Sequence, residues 1–189
     1  MNERLKKDVE RILAFHVKNA PGVIIGVYMV DYALELLDGL YPDRDSYTMN
    51  AICETRECLP DPIQVMTGCT LGNKYQRLHA VENGRYALVL YNRDTSTGFR
   101  VYIDVRKIKR EKHPQLFAFF NKCRDYKVMS RKEMSRLTIK EFYSAGREIF
   151  SYQKVRVNIP AKDEQFPAKI CASCGESFLA AGPFNVDLC

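Results

Sequence analysis

The sequence predicts an α+β fold: a mostly antiparallel sheet packed with helices, followed by a small C-terminal cysteine-bearing module. Three observations carry this expectation. The expected elements run helix-rich, strands, helix-rich, strand, tail, without the strand–helix alternation of a doubly wound sheet. Two β-rich runs flank a turn signal in RYALVLYNRDTSTGFRVYIDV, which reads as a hairpin because Asn, Asp and Gly favour turns. A polar, proline-bounded stretch, PAKDEQFPAK, precedes the cysteine pair of ICASCGESF. These features set a core domain at residues 1–165 and a tail module at 166–189.

The elements follow in order. Leu5, Val9, Ile12 and Leu13 share one face of a charged first helix. Pro21 opens a second helix, expected to run to about Leu37 with Gly39 as its stop. Gly26 inside it allows close packing. This is the most apolar run of the chain, but Asp31, Glu35 and Asp38 interrupt it, so a buried helix is expected rather than a membrane span. YPDRDS reads as a turn and YTMNAICET as a strand. A short helix begins near Pro60 and ends at Gly68. Residues 114–124 and 131–147 read as helices, with Thr138 and Glu141 as a local capping box. FSYQKVRVNIP returns to strand chemistry.

Composition narrows the class. The chain has 189 residues, of which 46% are hydrophobic, enough to bury a core. The net charge of +6 permits an acidic partner without demanding one. The first sixteen residues are charged at helical intervals and lack a signal peptide's apolar run. A soluble, cytoplasmic protein with no membrane partner is therefore expected. Its seven cysteines would stay reduced there, as ligands or catalysts rather than disulfides.

The tail is the strongest chemical signal. A Cys-x-x-Cys turn brings two sulfurs to one ion, and Gly175 can take the positive φ such a turn requires. Cys189 lies fourteen residues beyond Cys174, a span that suits the second half of a zinc ribbon. Cys171, Cys174 and Cys189 are thus the candidate ligands of a Zn2+ ion, although an all-sulfur site does not by itself distinguish zinc from iron. The fourth ligand would be a residue beyond this sequence, a donor from another chain, or water. A redox pair and three unligated thiols are the competing readings. A metal also answers an energetic problem: so short a segment buries too little to offset its ordering entropy, whereas a structural zinc supplies about 10 kcal/mol or more.

FHVKNAPGVIIG, CLPDPIQVMTGCTLGNK, YALVLYNRDTSTGFRVYI and CASCGE, in that order, resemble the FmdE family, the zinc-binding proteins named for the E component of formylmethanofuran dehydrogenase. The resemblance covers nearly the whole chain, and Gln64 to Gly72 is its most specific part. It implies an α+β protein, often a homodimer, with a metal site in the core and, in many members, a C-terminal zinc ribbon. It also implies an association with formylmethanofuran dehydrogenase subunits, in methanogenesis and related pathways. Members write their N-terminal motif Phe-His-x-His-x-Cys-Pro-Gly. Phe15, His16, Pro21 and Gly22 match it, while Lys18 stands at the second histidine and Ala20 at the cysteine. Cys58 and Cys69 match the two later cysteines. The resemblance therefore implies a core metal site reduced to His16, Cys58 and Cys69. The plain alternative is that both cysteines are small buried hydrophobes and His16 a hydrogen-bonded helix end. Cys53 and Cys123 read as core packing, and His79 and His113 as surface-loop residues.

Three functions follow. The first is a metal-binding accessory or subunit protein of formylmethanofuran metabolism. The second is a metalloenzyme using the core site on a small carbon substrate. The third is a nucleic-acid or protein-binding module, drawing on the basic segments VRKIKREKHP and RKEMSRLTIK. The first is preferred, because Lys18 and Ala20 remove two donors that catalysis would need. Acidic residues mixed into the basic segments weigh against nucleic acid.

Overall fold

The computed structural model describes residues 3–42, 48–73, 75–158 and 168–179. The chain divides into two compact units, Met1–Val157 and Asn158–Cys189. The expected turn at YPDRDS falls largely outside the described residues, as do the boundary at 165/166 and Cys189.

In the first unit, α1 (Glu3–His16) buries Leu5, Val9 and Ile12, the face its periodicity marks. The long α2 (Pro21–Leu40) begins with proline at its first turn after an extended Ala20. It runs through Gly39 rather than stopping there, and ends where the Tyr41 amide donates to the Leu37 carbonyl. Nearly every residue from Pro21 to Val30 is buried, because α2 packs against α1, α3 and α5 and against strands β3 and β4. Gly26 sits at the crossing with α3 (Pro60–Thr67): a Cβ there would stand 2.9 Å from Pro62 Cγ and 3.2 Å from Leu59 Cδ1. The acidic residues that interrupt α2 are paired. Asp31 is 5% exposed and binds Arg4 of α1 and Arg147 just past α5; Glu35 takes Arg147 Nη1 at 2.8 Å. No described helix is long and apolar enough to cross a membrane.

The sheet comprises β1 (Met49–Cys53), β2 (Leu78–Ala80), β3 (Ala87–Asn92), β4 (Thr97–Ile103) and β5 (Phe150–Arg156), in the order β2-β1-β3-β4-β5. It is mixed, which corrects the expectation of a mostly antiparallel sheet. β1 pairs with β3, β3 with β4, and β4 with β5 in antiparallel register, but β1 and β2 run parallel, with Ala51 opposite Leu78. A parallel neighbour needs a long crossover, and the segment bearing α3 supplies it. That strand is only three residues long, within RLHAVENG, and sequence periodicity did not mark it. His79 accordingly lies exposed on an edge strand rather than in a loop.

The β3–β4 hairpin is where the sequence places it, but its turn is built differently. Asn92 Oδ1 accepts the Asp94 and Thr95 amides at 2.9 and 3.0 Å, and Ser96 takes the positive φ of 58°. Gly98 is not part of the turn; it lies in β4, opposite Tyr91.

Helices α4 (Pro114–Phe120) and α5 (Arg131–Ala145) cover the sheet's far end. The capping residue of α5 is Ser130, whose Oγ accepts the Glu133 amide at 3.2 Å. The expected box at Thr138 and Glu141 is corrected: Thr138 is fully buried mid-helix and donates to the Met134 carbonyl. Glu141 instead accepts the Leu116 amide at 2.8 Å, satisfying a donor of α4's first turn. Of the two cysteines assigned to packing, Cys53 is buried and Cys123 is exposed.

In the second unit, β6 (Ala168–Ile170) and β7 (Ser177–Leu179) pair antiparallel around the cysteine turn.

Candidate binding pocket and cysteine turn

The chain entering α2 and the chain entering α3 meet at Gly22. A Cβ on Gly22 would stand 2.9 Å from Cys58 Cβ and 3.1 Å from Cys58 Sγ, so only glycine allows this approach. The Tyr86 hydroxyl donates to the Gly22 carbonyl. Two residues here hold left-handed backbone: Cys58 at φ 52° and Val17, just past α1, at φ 66°. For a β-branched residue that conformation is a true outlier, and such strain collects at functional sites.

Beyond Gly22 and Cys58 opens a cavity of about 770 Å³, the size of a small-molecule site. One wall is aromatic: Tyr86 meets Phe120 edge-on at 5.4 Å, and Phe120 meets Phe119 at 4.9 Å. Another is charged. Arg100 of β4 forks onto Glu54, with Nε 2.5 Å from Oε1 and Nη2 2.9 Å from Oε2, and lies over the Tyr102 ring at 4.8 Å. The Glu54 carboxylate raises the Arg100 pKa further. The loop carrying Glu82 is tied down because its carboxylate accepts the Arg56 amide at 3.0 Å and the Gly84 amide at 2.9 Å; these bonds, that from Arg56 foremost, lower its pKa.

His16 and Cys58 both reach this region. His16 Nδ1 lies 2.6 Å from Oδ2 of Asp61, on the first turn of α3. Burial, and then the charges of Glu57 and Asp61, push the Cys58 thiol's pKa up. Cys69 is elsewhere. It follows the opposite end of α3, a helix of eight residues and so about 12 Å long. It is fully buried, and its thiol donates to the Met49 carbonyl at 3.4 Å. The three residues therefore do not form the single ligand set the sequence led us to expect. Lys18 is exposed and Ala20 has no donor side chain. Among the described residues, no group of three or more His, Cys, Asp or Glu side chains is placed to hold an ion. The core donors do not fit a metal centre, and no step is derived through one.

The raised thiol pKa has a consequence. Site-resolved alkylation of Cys58 with iodoacetamide should show a midpoint above pH 9. A midpoint at or below about pH 8.5, the ordinary thiol value, would contradict its burial. Cys53 is also pushed up by burial, to about 12. A folded-state pKa raised in this way stabilises the fold fully below pH 9 and loses that contribution as pH climbs toward 12. Alkaline unfolding should accordingly begin in that window.

The tail turn has its own geometry. Gly175 adopts φ 77°, its amide donates to the Cys171 carbonyl at 2.9 Å, and the Cys171 amide donates to the Glu176 carbonyl at 2.8 Å. Cys171 is 2% exposed and Cys174 is exposed. A tight turn with two thiols three positions apart fits half of a tetrahedral thiolate site. Cys189, the third candidate, lies outside the described residues.

Of the residues that matter here, sequence reading missed Tyr86, Glu54, Arg100 and Arg124. Each stands alone in its local pattern and becomes part of a site only through strand pairing and helix docking.

A mixed sheet wrapped by helices, with an aromatic and cationic pocket and a separate cysteine-turn hairpin, defines a ligand- or metal-binding α+β protein. The family model described as "FmdE, Molybdenum formylmethanofuran dehydrogenase operon" matches residues 15–156, and the chain belongs to that family. It is similar to the crystal structure of an FmdE-like protein of tungsten formylmethanofuran dehydrogenase from Syntrophus aciditrophicus. There the identity is 34%, the TM-score 0.75, and the match covers 98% of this chain and 89% of that one. It is also 30% identical, over 94% of its length, to a protein of Archaeoglobus fulgidus named "Probable S-adenosyl-L-methionine-binding protein". The chain spans about half the length of that relative, 50%.

Proposed function

We infer that this chain is a zinc-binding accessory or subunit protein of formylmethanofuran-linked one-carbon metabolism. Family membership supports the association. The Cys171–Gly175 turn carries the metal reading: its backbone is already folded as a thiolate knuckle, with Cys171 and Cys174 as ligands and Cys189 as the third. Zinc there would order the zinc-ribbon-like module at 166–189, adding folding energy that the short β6–β7 hairpin lacks. The resemblance supports a homodimer and contact with other formylmethanofuran dehydrogenase subunits in the cytoplasm. A core metalloenzyme gains no support from the placement of Cys69. The name of the Archaeoglobus relative refers to a sulfonium cation. The pocket here is lined by Arg85, Arg100, Lys122 and Arg124 against Glu57 and Glu82, a balance that does not favour a cation.

Elemental analysis of the purified full-length chain is the test. About one zinc per chain is expected, lost when Cys171→Ser and Cys174→Ser are combined. Metal content that survives the double substitution, or a metal-free parent protein whose tail keeps its structure in chelator, would overturn the reading.

A further inference from the structure

The pocket beside Cys58 holds positive charge that the protein leaves without a carboxylate. Glu54 neutralises Arg100 and reaches Arg85 at only 3.9 Å. Glu82 is committed to two backbone amides. Among the described residues no carboxylate pairs with Arg124. Its Nη2 donates to Thr138 Oγ1 at 2.7 Å, and its guanidinium is stacked over the Phe119 ring at 4.4 Å, so it is held in place. Its Nε is buried without a hydrogen-bond partner among those residues. A charged donor left in that state is costly, and the protein keeps it on the wall of its main cavity. Lys122 lines the same wall, held by a left-handed backbone at φ 53°.

The ring faces supply the second half of the argument. Phe119, Phe120, Tyr86 and Tyr126 line the cavity next to this cationic edge. Burial also holds the Tyr86 pKa well above the usual phenol value, so the hydroxyl stays neutral and remains a donor to Gly22. A surface made of aromatic faces beside a fixed guanidinium suits a planar ring that carries an anionic group.

We propose that this pocket binds an aromatic anion: a planar ring stacked among Phe119, Phe120 and Tyr126, with its carboxylate or phosphate against Arg124 and Lys122. The proposal is independent of the tail metal, since it uses no cysteine ligand.

Titration calorimetry on the full-length chain tests it with two matched pairs, AMP against adenosine and 2-naphthoate against 2-naphthamide, with inorganic phosphate as a further probe. The anion of at least one pair should bind about tenfold or more tighter than its neutral partner, and phosphate alone should bind weakly. Lys122→Gln, a change at an exposed side chain, and Arg124→Gln should each reduce that preference. Arg124→Lys, which keeps the charge but not the planar fork, should retain part of it. The proposal fails if neither pair shows a preference for the anion, or if phosphate binds as tightly as AMP. A preference that survives unchanged in both Lys122→Gln and Arg124→Gln would place the anion elsewhere and also overturn it.

Discussion

Gly98→Ala should cost at least about 3 kcal/mol of stability, a large share of the roughly 5–15 kcal/mol available to a domain. The reason is the closeness of β3 and β4. A Cβ on Gly98 would strike the Leu90 carbonyl oxygen and stand 2.5 Å from Tyr91 Cα and 2.7 Å from Tyr91 Cβ. Two of these atoms are backbone, so no rotamer change relieves the contact. β3 is also the strand that cannot move: Leu88 and Leu90 are fully buried in the core, and it is paired on both sides. The variant should melt about 10 °C below the parent if it folds at all, taking about 3 °C per kcal/mol for a chain of this size. A melting temperature within about 2 °C of the parent would show that the strands are not this close in solution.

Glu54→Ala is the second large effect, expected at about 3 kcal/mol. Glu54 follows β1 and is 7% exposed. Removing it leaves the Arg100 guanidinium half-buried against Tyr102 with no carboxylate, and uncompensated charge is costlier than the pair was favourable. Glu54→Gln, which can still accept a hydrogen bond, should lose less. Adding Arg100→Leu to Glu54→Ala should restore part of the stability, because an absent pair is cheaper than half a pair. Denaturant unfolding of the single and double variants measures this directly. If the double variant loses as much as the two singles summed, or more, the pair is not coupled in this way.

Gly98 also shows where sequence reading stops. In NRDTSTG it reads as a turn residue, since glycine, asparagine and aspartate share that preference. The hairpin lies where that signal puts it, but Asn92 and Ser96 make the turn, and Gly98 serves an approach between two strands. No local pattern encodes that approach. The same holds for β2, whose three residues are too few to show alternation, and for Thr138, whose hydroxyl is claimed by Met134 and Arg124 rather than by a cap. Where periodicity was long, as in α1 and α2, the elements are where the sequence places them. Gly26 packs α2 against α3 as its position suggested.

The candidate site divides the same way. The cysteine turn is legible because its chemistry is local: two thiols, a glycine and a tight bend lie within one short run, Cys171 to Gly175. The core trio was assembled by resemblance, and the fold separates it, since an eight-residue helix stands between Cys58 and Cys69. The pocket was invisible in sequence. Its parts come from the start of α2, the end of β1, strands β3 and β4, and the chain around α4.

The sequence by itself determined what depends on neighbours along the chain: the helix faces, the hairpin, the acidic interruptions that keep α2 out of a membrane, and the tail's metal-ready spacing. Only the tertiary structure decided the parallel β1–β2 pair, the fate of Cys69 and the cationic pocket. Those depend on which distant segments are brought within a few ångströms of each other, and burial and charge pairing act across that gap without leaving a periodic trace in the chain.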